Sequence, residues 1–143
     1  MDAIDPDLFR SQCVLTKARK ASRAVSRHFG TLVRPHGISA SQASLLFGLY
    51  GSDATSVSEL AAGMGIERSG MTRNLAVLEK ARLVACDVAG RGGAKAYRLT
   101  VEGEAKLMGM LPLWHEAQAQ VREQLGDEEW ARMQATLARL AEL

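Results

Sequence analysis

Apolar residues recur every three or four positions through Leu8, Leu15, Ala18, Val25, Phe29 and Leu32, which predicts one long amphipathic helix from Leu8 to about Pro35. Pro35-His36-Gly37 ends it. A second helical pattern, Ala43, Leu45, Leu46, Leu49 and Tyr50, runs to Gly51, with Ser39 or Ser41 placed to cap its first amides. Ser56 or Ser58 caps a third helix, and Glu67 begins a fourth whose apolar positions are Met71, Leu75 and Leu78. Two β-prone runs follow, Leu83 to Val88 and Lys95 to Leu99, on either side of Ala89-Gly90-Arg91-Gly92-Gly93. Thr100 stands at the N-cap of a fifth helix reaching about Leu125, in which Pro112 predicts a bend near Met108. After Gly126, Asp127 caps a sixth with Trp130, Met133, Leu137 and Leu140 on one stripe.

The centre of this pattern carries the argument. A small residue at Ala61, a turn at Gly65 and apolar positions at Leu60, Met64, Ile66, Met71 and Leu75 are what two helices need to cross steeply over a small core. The β-ribbon after the second of them makes the unit a winged helix-turn-helix, which presents one helix to the DNA major groove and a loop to the flanking backbone or minor groove. The expected fold is mainly α, six helices plus a short β-ribbon wing. Six helices exceed what a winged helix needs, and the terminal ones carry wide apolar stripes, so residues 8–36 and 101–143 are expected to form a dimerisation region. Residues 40–100 form the DNA-binding lobe within a single domain, 1–143.

A length of 143 residues fits one domain with a real core. The chain is 47% hydrophobic and 24% charged, and no apolar stretch approaches the roughly 20 residues that cross a bilayer. Met1 to Pro6 shows no signal-peptide pattern, so a cytoplasmic protein is expected. A net charge of +2 says little, but its distribution says more. No acid lies between Asp7 and Asp53, a stretch holding Arg10, Lys17, Arg19, Lys20, Arg23, Arg27 and Arg34, whereas eight acids face four basic residues from Glu102 onward. Such polarity places the acid-rich surface away from any phosphate backbone.

On a helix from Glu67 to Ala81, the apolar side leaves Ser69, Thr72, Arg73 and Ala76 facing outward with Arg68 at the margin. The Arg73 guanidinium matches the guanine O6 and N7 edge as well as phosphate. Arg91, among glycines at the ribbon tip, can enter a narrow minor groove, and Lys95 and Arg98 on the returning strand suit phosphate. Ordinary solvated charges, paired with Glu67 or Glu79, are the bland alternative.

Together, Gly37-Ile38-Ser39 with Gln42, Leu60-Ala61 with Gly65-Ile66, Thr72-Arg73 with Leu75, Leu78-Glu79, Leu83-Val84, and Leu99-Thr100 with Gly103 resemble the MarR family of transcriptional regulators, over nearly the whole chain from about Cys13. The wing departs from the family pattern, with Arg91 where an acid and Gly93 where an arginine would fall, and Gly70 stands where many relatives carry a threonine. The resemblance implies a dimer bound to double-stranded DNA and released by a small effector, often a phenolic or aromatic acid, lodged between dimerisation helices and reading head. Candidates for its lining are Arg19, Arg23, His28, Phe47, Tyr50, Met110 and Trp114.

Other chemistry is thin. Cys13 and Cys86 raise a redox-sensing alternative, because one branch of the family senses hydroperoxides through a cysteine on its first helix; Cys13 sits about half a turn from that position. His28, His36 and His115 lack metal-site spacing, and no cofactor is expected. No Ser-His-Asp, paired-carboxylate or phosphate-loop pattern supports an enzyme. A winged helix used for protein contacts would want an apolar outward face on the fourth helix, which Ser69, Thr72 and Arg73 do not give.

Overall fold

The computed structural model describes residues 5–89 and 94–143, which hold seven α-helices, one 3-10 turn and a three-stranded sheet. The order is α1 (Pro6–Gln12), α2 (Val14–Val33), the turn Arg34–His36, α3 (Ala40–Leu49), β1 (Thr55–Ser56), α4 (Val57–Met64), α5 (Arg68–Lys80), β2 (Val84–Ala89), β3 (Ala94–Leu99), α6 (Val101–Leu125) and α7 (Asp127–Leu140). This is the mainly helical winged-helix architecture that the pattern predicted, with three local corrections.

The long first helix is broken. Cys13 is extended at ψ 111°, closes α1 by donating its amide to the Phe9 carbonyl, and starts α2 by accepting from the Lys17 amide. Apolar spacing passes straight over such a break because it records side chains, not backbone. The second correction is β1, too short to leave a periodic signal, which pairs antiparallel with β3 in the order β1-β3-β2. Thirdly, Gly126 at φ 81°, not Asp127, stands at the N-cap of α7; Asp127 lies inside the first turn and accepts from Arg122 Nε at 2.7 Å. The wing strands lie one residue from their expected limits, and α6 runs as one helix through Pro112.

α3 is the hub. Its Leu45, Leu46 and Leu49 are fully buried with Met71, Leu75 and Leu78 of α5, Val84 of β2, and Leu107 and Met110 of α6. Of the two serines open for capping α3, Ser39 does it, in a reciprocal box in which Ser39 Oγ accepts from the Gln42 amide and Gln42 Oε1 from the Ser39 amide. Ser56 and Glu59 repeat the device at α4. The terminal helices contrast with this packed centre: α1 and α7 bury nothing and the 20-residue α2 buries only Val33.

Candidate nucleic-acid interface

α4 ends at Gly65, which takes a left-handed conformation (φ 63°) so that the Ile66 amide can reach back to the Ala61 carbonyl at 3.2 Å. That tight reversal lets α5 start across α4. Met71, Leu75 and Leu78 then fix the rotation of α5 about its axis, because all three are buried. Arg68, Ser69, Thr72, Arg73 and Ala76 are left exposed together along a helix of 13 residues, roughly 20 Å long. Among the described residues neither Arg68 nor Arg73 enters an ion pair, so pairing with Glu67 or Glu79 does not occupy them. Thr72 Oγ1 donates to the Arg68 carbonyl at 3.0 Å, so its hydroxyl proton is held by the helix and its lone pairs remain to accept.

β2 and β3 form a six-pair antiparallel ladder from Val84↔Leu99 to Ala89↔Ala94. Lys95 is exposed on it. Arg98 is exposed too, but its Nε donates to Asp87 Oδ2 at 2.9 Å across the ribbon, which leaves only part of the guanidinium for phosphate. The cross-strand register makes that pair, and no sequence spacing displays it. Arg91 lies outside the described residues. Tyr97, opposite Cys86, is buried, and burial together with the neighbouring thiol holds its phenol above the usual range.

A groove of about 520 Å³ lies between Val25 and Phe29 of α2, Phe47 of α3, Met64 and Ile66 at the α4–α5 turn, and Trp114 of α6. Its size suits a small organic ligand. The Phe47 and Trp114 rings lie 6.1 Å apart and tilted by 41°. Of the seven residues proposed from sequence, only these two line it. Arg19 and Arg23 border a separate depression farther along α2, Tyr50 is exposed at the end of α3, and Met110 is fully buried in the core because α6 turns that side toward α3. His28 is half-buried beside Phe29, with Nε2 buried and without a hydrogen-bond partner among the described residues. Sequence reasoning missed Phe29, Ile66 and the wall serines Ser22, Ser26, Ser41 and Ser44. Apolar spacing on α2 assigns Phe29 to packing and says nothing of what it faces.

Cys13 is half-exposed at the α1–α2 break, and hydrogen bonds from Thr16 hold its thiol below the usual pKa. No group of three His, Cys, Asp or Glu side chains that could hold a metal is present, and no helix is long and apolar enough to cross a membrane, among the described residues.

Residues 36–92, spanning α3, β1, α4, α5 and β2, match the MarR family. The transcriptional regulator MosR of M. tuberculosis is 34% identical, with 92% of this chain and 95% of that chain covered at a TM-score of 0.81. The chain belongs to the MarR family. MarR-family proteins are DNA-binding transcriptional regulators rather than enzymes, and MosR has also been solved in complex with DNA, where the TM-score is 0.82. Two more distant structures share the MarR fold. MepR of S. aureus, solved as a DNA complex, is 21% identical over 91% of this chain and 98% of its own at a TM-score of 0.78. BpsR of Bordetella bronchiseptica, whose DNA binding is regulated by 6-hydroxynicotinic acid, is 18% identical over 93% and 96% at 0.82. No curated protein matches the chain in sequence.

Proposed function

We propose that this MarR-family regulator is a homodimeric repressor whose two α5 helices read a pseudo-palindromic operator. Residues 40–100 act as the reading lobe, and 8–36 with 101–143 as the dimerisation region. The observation that carries the reading is the division of α5 into a buried apolar side and an exposed side bearing Ser69, Thr72 and Arg73. The dimer is supported by the terminal helices: Phe9 (59% exposed), Val14 (64%) and Leu137 (55%) belong to helices that bury almost nothing in one chain, and a second copy would cover them. Within this reading Arg68, Ala76, Lys95 and the remaining part of Arg98 flank the base contacts, and Arg91 supplies the wing contact. Selection of bound sequences from random DNA tests it. A two-half-site consensus is expected, and recovery of no enriched sequence overturns it.

An aromatic acid in the groove is the proposed release signal. Phe29, Phe47 and Trp114 offer ring surface, and Ser22 and Ser26 offer hydroxyl donors to a carboxylate, a role the arginines of α2 cannot take from outside the lining. A ligand seated there would press on Met64 and Ile66, which lead directly into α5. Calorimetry with benzoate and hydroxylated nicotinates, beside a neutral aromatic of equal size, measures it, and Trp114→Ala should abolish the heat.

The half-exposed thiol of Cys13, lowered in pKa by its hydrogen bonds with Thr16, favours a second reading, oxidation sensing, in which the thiolate attacks a peroxide O–O bond to give a sulfenic acid and release water or alcohol. Peroxide should then release DNA from the wild type and not from Cys13→Ser.

A further inference from the structure

The end of α5 is closed by two nested hydrogen bonds, Leu83 amide to Leu78 carbonyl at 2.9 Å and Arg82 amide to Glu79 carbonyl at 2.9 Å. This closure needs a left-handed residue just past the helix, a place usually given to glycine. Here Arg82 occupies it at φ 61°, the one non-glycine residue with positive φ among those described. An L side chain in that conformation is crowded against its own backbone carbonyl, so the surroundings must over-determine it.

Thr100 provides the hold. Its hydroxyl donates to the Arg82 carbonyl at 2.7 Å and accepts from the Gly103 amide at 2.9 Å, while its amide donates to the Leu83 carbonyl at 3.1 Å. A single residue is therefore bonded to both the exit of α5 and the first turn of α6. Gly103 completes the joint, because a Cβ at that position would lie 1.9 Å from the Leu83 carbonyl oxygen. The first turn of α6 rests directly on the backbone that leaves α5, with no room for a methyl group between them. None of these groups lies on the outward side of α5.

We propose that the Arg82–Thr100–Gly103 junction is a positioning device that fixes the angle of the recognition helix relative to α6, and so sets the separation of half-sites that the protein accepts. The proposal rests on the dimeric reading above, in which α6 belongs to the region joining the two copies. A tilt of about 5° at this joint would swing the far end of α5, roughly 20 Å away, by about 2 Å. Base hydrogen bonds tolerate a few tenths of an ångström, so the tilt would miss one half-site while the other is engaged.

Wild type, Gly103→Ala, Thr100→Val and Thr100→Ser, each checked for dimer by sedimentation, are titrated against duplexes whose two selected half-sites are moved together or apart by single base pairs, and against a duplex with one half-site. The wild type should favour one spacing. Gly103→Ala and Thr100→Val should shift or flatten that preference, with about tenfold weaker binding at the original spacing, and keep wild-type affinity for the single half-site. Thr100→Ser should restore the profile. If Gly103→Ala does not fold, the Thr100 pair decides the matter. Folded variants with the wild-type spacing profile overturn the proposal, as does equal loss on the single half-site. A wild type that binds none of the duplexes overturns the dimeric reader itself, which is a separate failure.

Discussion

Arg73 is an exposed guanidinium with no ion-pair partner among the described residues, on the side of α5 that the core leaves outward, whereas Arg98 shares its charge with Asp87. The two should respond differently to truncation. Arg73→Ala is expected to weaken operator binding by about 1–3 kcal/mol and to blur base preference, read by titration on operator and scrambled duplexes. Arg98→Ala should cost less and cost it evenly across sequences. Leu75 is fully buried in the core, so Leu75→Ala should lower stability by about 2–5 kcal/mol, measured by denaturant unfolding. At this scale the sequence showed which residues of α5 face in and which face out, because helical period alone decides that. The tie between Arg98 and Asp87 was not legible, since it arises from strand register. The burial of Met110 was not either, since it depends on which side of α6 meets α3.

Elements were legible at most of the ends that a capping side chain marks, although Asp5, which caps α1 two residues before the expected start at Leu8, was missed. Thr100 caps α6 as expected, and Ser39 and Ser56 were each one of two candidates, with the reciprocal partners Gln42 and Glu59 three residues on as the deciding sign. Replacing Ser56 with Ala should remove about 1 kcal/mol through the loss of the hydrogen bond that Ser56 Oγ accepts from the Glu59 amide, detectable as a lower urea midpoint at unchanged slope. Backbone alone marks the elements that escaped notice. Cys13 breaks the first helix without a proline or glycine, and β1 spans two residues held by pairing with β3. The groove was half legible: Phe47 and Trp114 were named for their chemistry, but the α4–α5 turn joins them only because the chain folds back there.

For the whole molecule, the terminal helices and the charge distribution govern behaviour. Leu137→Glu places a charge on the exposed stripe of α7, and should convert the proposed dimer to monomer in sedimentation and lower the melting temperature in a concentration-dependent way. DNA affinity should fall steeply as salt rises, because basic groups on the reading side displace counterions from phosphate, and the slope should be shallower for Arg91→Ala. The short pairing of Thr55 and Ser56 with β3 has its own outcome. It stitches the middle of β3 to Ser56, the cap of α4, so the ribbon and the two crossing helices form one stiff tool rather than separate fingers. Under the proposed reading, lifting α5 out of a DNA groove would carry the ribbon along, and the grip on a duplex would let go in one concerted motion instead of peeling finger by finger.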